Sequence, residues 1–223
     1  MIPRERTQAG ALLLLLLLLP VGAPSAALAG WAVELRGGSA ANFRTRLEFD
    51  LDGASSIRMH PRYDTRPWDG SPYYAARLSR GAARGAWELE YIHHKLYLRD
   101  RDRTAEVPAF EATHGYNLVT LGRSVRLGGL VWRAGIGGCL VHVEGTVRGA
   151  PIRVRGGVFG GSYSLAGPVG QIGAGKPIRL GDHLFLSTEA KLTGTYARVK
   201  IDGGRVTVPN VALHGLLGLG YVF

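Results

Sequence analysis

The chain has one cysteine, Cys139, in 223 residues, so no intramolecular disulfide can form even in an oxidising compartment. Its thiol reads as a small apolar wall residue. Long hydrophobic runs are equally scarce. The one continuous run, Ala11 to Leu19, is almost pure leucine and falls short of the ~20 apolar residues that a membrane-spanning helix needs. Acidic residues are also few, 17 Asp+Glu against 27 Lys+Arg, for a formal net charge of +10. None of the standard zinc-ligand spacings occurs. Gly156-Gly157 and Gly160-Gly161 follow strands in a wall or loop context, which excludes them as phosphate loops.

What is present begins with a leader. Arg4 and Arg6 precede the leucine run, and Pro20 and small residues follow it as far as Ala27-Leu28-Ala29. This is the pattern of a secretory signal peptide cut after Ala29. Residues 30–223 then make one domain, either a soluble secreted sandwich or a β-barrel. The 33 glycines, with only moderate hydrophobicity, suit strands that alternate lipid-facing bulk with small lumen-facing residues. Several alternating stretches also exceed the five or six residues of a usual globular strand.

The final stretch carries the pattern most clearly. Val211, Leu213, Leu217, Leu219, Tyr221 and Phe223 fall on one face of a strand, with Asn210, Ala212, His214, Gly218 and Gly220 on the other. With its terminal Phe223 it resembles the closing strand of small bacterial outer-membrane β-barrels, a Gram-negative class. That resemblance implies an all-β, transmembrane, antiparallel up-and-down barrel in the cell outer membrane, recognised by the barrel-assembly machinery.

Taken in order, Trp31 to Arg36 starts the first strand. The stretches 43–51 and 57–63 alternate too, and could be wall strands of a ten-stranded barrel or a hairpin above an eight-stranded one; Pro61 and four charges on one face favour the hairpin and eight strands. Further strands are expected at Tyr73–Arg80, Ala86–Leu98, His114–Val125, Val131–Glu144, Ser162–Arg179, Leu184–Val199 and Val206–Phe223. Short turns alternate with longer loops, the last loop being short. Trp31, Trp87, Trp132, Tyr73, Tyr74 and Tyr221 sit near strand ends, as membrane girdles do.

Parity assigns the interior. Ser187, Glu189, Lys191, Thr193 and Thr195 face inward, and symmetric turns would pair Thr193 with Gln171 on one side and with His214 on the other. Glu88 and Glu90 point inward. His94 follows if alternation holds, or His93 and Lys95 if a bulge intervenes. Because an eight-stranded barrel is just wide enough for side chains to fill, Glu88, Glu90 and Glu189 facing Lys191, Arg133 and histidines would form a polar plug.

Two other uses of these residues stand beside the plug. In a catalytic one, the candidates are His94, Glu90, His114, Lys191 and His214, with a histidine base oriented by a carboxylate and a lysine opposite developing negative charge. A metal reading would use His93, His94, His114 and His142, but without a standard spacing no metal is expected, nor any cofactor. The lipid A deacylases among outer-membrane barrels carry a His-x-Ser pair; here the residues two after each histidine are Arg62, Lys95, Leu96, Tyr116, Glu144, Phe185 and Leu216.

Arginines concentrate in the expected loops: 58, 62 and 66; 99, 101 and 103; 148, 153 and 155. Phosphorylated lipopolysaccharide and outer-membrane lipid would attract them, whereas nucleic acid is a poor partner for an exported chain. The resulting expectation is a monomeric, integral outer-membrane barrel with a polar, plugged lumen and basic lipopolysaccharide-facing loops, in a structural or envelope role. A lipid A-modifying enzyme and a narrow, porin-like solute channel are the alternatives. Sequence alone does not separate enzyme from structural protein.

Overall fold

The computed structural model describes residues 30–82, 85–158 and 163–223. The expected leader, residues 1–29, lies outside the described residues. Apart from one 3-10 turn at Asp100–Asp102, every regular element is a strand. In chain order these are β1 (Gly30–Asn42), β2 (Leu47–Leu51), β3 (Ile57–Met59), β4 (Tyr63–Asp64), β5 (Tyr74–Ala82), β6 (Gly85–Leu98), β7 (Ala109–Leu127) and β8 (Leu130–Val141). They continue as β9 (Glu144–Val147), β10 (Ala150–Pro151), β11 (Ser164–Arg179), β12 (Leu184–Thr195), β13 (Arg198–Ile201), β14 (Gly204–Thr207) and β15 (Asn210–Val222).

Eight antiparallel strands close on themselves in the order β1-β5-β6-β7-β8-β11-β12-β15 and back to β1. The period-two alternation explains the closure. Trp31, Val33, Leu35, Leu217, Leu219 and Tyr221 are exposed on the outer wall, while Ala32, Glu34, Arg36, Leu216 and Val222 between them are buried inside. Each such face would be unstable against water on one side, and a barrel in lipid satisfies both faces and leaves no free edge.

One end of the barrel carries both ends of the closed wall and its tight turns; the other carries the long connections. At that loop end the ambiguous stretches resolve. The β2–β3 hairpin is no part of the wall, so the ten-stranded option falls away. It pairs instead through β2 with β14, giving a second sheet in the order β13-β14-β2-β3. The connection expected to be short is a hairpin in its own right: the chain leaves the wall after Thr195, makes β13 and β14 around Asp202-Gly203, and re-enters at Asn210. Apolar side chains from this sheet, such as Leu47, Phe49, Val199 and Val206, join Leu96, Phe110, Tyr116 and Val141 of the wall in one buried core above the lumen.

Outside, Trp31, Trp87, Trp132 and Tyr221 lie toward the closed-turn end and are exposed, as aromatic girdles are. Tyr73, expected among them, points the other way. It is fully buried, because it precedes β5 at the inward parity of Ala75 and Arg77.

Candidate functional site

The mid-barrel interior is charged. Among the described residues, Glu34, Glu88, Glu90 and Glu189 meet Arg36, Arg77, Arg133 and Lys191, four carboxylates against four cations. Arg77 reaches all four carboxylates, with Nη2 2.6 Å from Oε2 of Glu189 and 3.1 Å from Oε1 of Glu90, Nη1 3.3 Å from Oε1 of Glu34, and Nε 3.4 Å from Oε2 of Glu88. Arg36 donates to Glu189 at 2.9 Å and also pairs with Glu90. Lys191 pairs with Glu90 and lies 3.0 Å from Glu189. Gln171 donates to Glu90 at 2.8 Å. Charges this deep are tolerated because each has opposite charges around it.

Toward the closed-turn end a cavity of about 50 Å³, room for a few waters, reaches Glu34, Glu88 and Arg133. Phe185 and Ala32 line it and pack with Val222.

A histidine layer sits above the ions. His94 faces the lumen as simple alternation predicts, and the bulge falls one step later, between His94 and Leu96. Tyr73 Oη lies 2.6 Å from His214 Nδ1, and Thr193 Oγ1 lies 2.8 Å from His214 Nε2. His94 Nε2 is 3.0 Å from Asn42 Oδ1, which also accepts from Asn210 at 2.9 Å. The two imidazole rings are 5.0 Å apart. Thr193 pairs with Gln171 as expected, but His214 lies opposite Lys191 and reaches Thr193 along the diagonal.

The five candidate residues therefore divide into three places. Glu90 and Lys191 belong to the ion cluster, and His94 and His214 to the layer above it. His114 is elsewhere, on the outer face at the loop-end rim, where its Nδ1 is 3.1 Å from Glu144 Oε1. His142 shares that oxygen, Nε2 to Oε1 2.8 Å. His93 points outward as well, bonded to Asn117 at 2.8 Å and stacked on Tyr74. Lys95 is buried outside the wall, where its ammonium donates to the carbonyls of Arg66, Asp69 and Ser71 and pins the connection before β5.

Sequence reasoning missed Glu34, Arg36 and Arg77 as interior groups. The signal was there, since they alternate with Val33, Leu35 and Leu78, all exposed on the wall.

No protein-family model matches the chain, and no curated protein sequence matches it. Solved structures do. The outer membrane protein OprG from Pseudomonas aeruginosa superposes with a TM-score of 0.51 at 14% identity, over 87% of this chain and 96% of that one. This chain has the fold of the small eight-stranded outer-membrane β-barrels. Two further matches are weaker: AlkL, TM-score 0.45 at 11% identity over 92% of this chain and 94% of that one, and Ail of Yersinia pestis, TM-score 0.40 at 14% over 87% and 99%.

Proposed function

We propose that this chain is a non-catalytic outer-membrane barrel, exported by its leader and inserted by the barrel-assembly machinery, whose lumen is closed and whose loop end faces lipopolysaccharide. The observation that carries this reading is how the candidate catalytic groups are used. Glu90 and Lys191 neutralise each other and two arginines on the barrel axis, and His94 and His214 bond inward to Asn42, Tyr73 and Thr193. None of these four is turned toward the outer-leaflet side of the wall, where a lipid substrate would arrive.

Packing favours a closed lumen over a channel. The interior runs from Phe185 through the ion cluster and the histidine layer to the apolar core, and a cavity of about 50 Å³ is no pathway for solutes. At the loop end, Lys200 and Arg205 stand directly opposite each other on β13 and β14, with Arg155 joined to the same strand through its backbone. Three cations line one polar groove with Asp50 and Asp52, an excess of positive charge that favours a phosphate nearby.

The test has two arms. Mass spectrometry of lipid A from cells with and without the protein should give identical spectra, and the protein in planar bilayers should give no discrete conductance steps. A protein-dependent mass change would replace this reading with an enzymatic one. Discrete steps would replace it with a channel.

A further inference from the structure

The rim cluster is not used by any of the above. It is built by a local irregularity: between the pairs Leu96↔Ala112 and His94↔Tyr116, β6 advances by two residues while β7 advances by four. The extra residues include Gly115, whose φ of +147° suits glycine, and whose carbonyl accepts from the His142 amide at 2.9 Å. Plain alternation from buried Ala112 to buried Tyr116 would turn His114 into the barrel; the bulge leaves it exposed instead. There it meets His142, which follows β8, and Glu144, the first residue of β9.

One donor atom from each of His114, His142 and Glu144 lies within 4.8 Å of the other two. Ligands at ~2.0–2.2 Å around a tetrahedral zinc stand ~3.3 Å apart. The two nitrogen-to-oxygen separations of 2.8 and 3.1 Å need open by only a few tenths of an ångström. Tyr163 braces the site, its ring 5.5 Å from that of His142 and its hydroxyl donating to the His114 carbonyl. Glu111 stands directly across from Glu144 on the paired strand, two carboxylates that repel each other unless a cation is near.

We infer that His114, His142 and Glu144 form a binding site for a divalent transition metal, zinc by its two-nitrogen, one-oxygen donor set, on the outer face of the barrel at the loop-end rim. The His114 side chain is 65% exposed, so the fourth position opens outward to water or an anionic oxygen. The metal would tie β7 to the connection that follows β8. Soft thiolate takes no part, because Cys139 is buried in the wall.

Zinc binding to the folded full chain in detergent, followed by competition with a chromophoric chelator, tests the site. One equivalent should bind with a dissociation constant of about a micromolar or below. Loss of even an outer partner of a metal ligand costs about 10–100-fold in affinity, so His142→Ala and the isosteric Glu144→Gln should each cost at least that. His60→Ala, a histidine outside the cluster, should change nothing, and heat-modifiable gel mobility would show that each variant is folded. Absence of zinc uptake by the folded chain, or uptake unchanged in both ligand variants, would overturn the inference.

Discussion

Arg77 of β5 and Glu189 of β12 meet across the lumen, Nη2 2.6 Å from Oε2, although β1 and β15 separate their strands along the wall. The contact is a strut between opposite sides of the barrel. Removing Arg77 leaves four buried carboxylates against three cations, and one uncompensated buried charge costs about 3–5 kcal/mol. Arg77→Met should therefore lower the free energy of unfolding, measured by urea titration of the folded barrel in lipid vesicles, by that amount. Arg80→Met, which removes a cation stacked on Trp31 outside, should leave the unfolding free energy within about 1 kcal/mol of wild type.

The histidine layer gives a smaller and separable effect. Tyr73→Phe keeps the ring and deletes the hydroxyl that satisfies His214 Nδ1. An unsatisfied buried group costs about 1–3 kcal/mol. The same unfolding measurement should report a loss in that range.

Gly220 faces the ring of Phe185, and a Cβ there would lie 2.1 Å from its nearest carbon. Gly220→Val must displace Phe185 from the closed-turn end of the lumen, an overpacking cost of about 1–3 kcal/mol. Pairing it with Phe185→Ala should recover folded yield on a heat-modifiable gel, whereas either change alone should reduce it.

Much of this was legible from alternation. The inward set Ser187 to Thr195 and the pairing of Gln171 with Thr193 needed only parity and a symmetric turn. His214 came out two residues away from its true partner because the hairpin turns at Asp202-Gly203, with Ile201 opposite Gly204, one residue earlier than a turn centred on 201–206. Arg36 and Arg77 lie on stretches that alternation assigns to the wall, Trp31 to Arg36 and Tyr73 to Arg80, but only the carboxylates on other strands show why they are inside. His114 escaped parity for a different reason. A bulge is set by pairing with two neighbouring strands, and no single stretch of sequence records it.

Acid should weaken the outer sheet. Hydrogen bonding from Arg58, and less from Arg46, holds the Glu48 carboxyl below the usual carboxylate range despite some opposing desolvation. The folded value is the lower of the two, so this contribution is present above the ordinary value of 4.5 and fades as pH falls through the folded one. Titration of Glu48 by carboxyl NMR should move to higher pH in Arg58→Ala. Amides of β2 and β3 should exchange faster at pH 3 than at pH 6 relative to the barrel strands.

The pairing of β2 with β14 reinforces the line along which the barrel closes. A cylinder rolled from one ribbon has a single seam, where its first strand lies against its last, and here that is β1 against β15. The seam does not stop at the rim. Phe43 still bonds to Val211, and Gly204–Thr207 then pair with Glu48–Leu51, so the two ends of the ribbon are stitched a second time beyond the wall. Prying the cylinder open sideways would mean undoing both rows of stitches, and the second is anchored in the apolar core rather than in lipid.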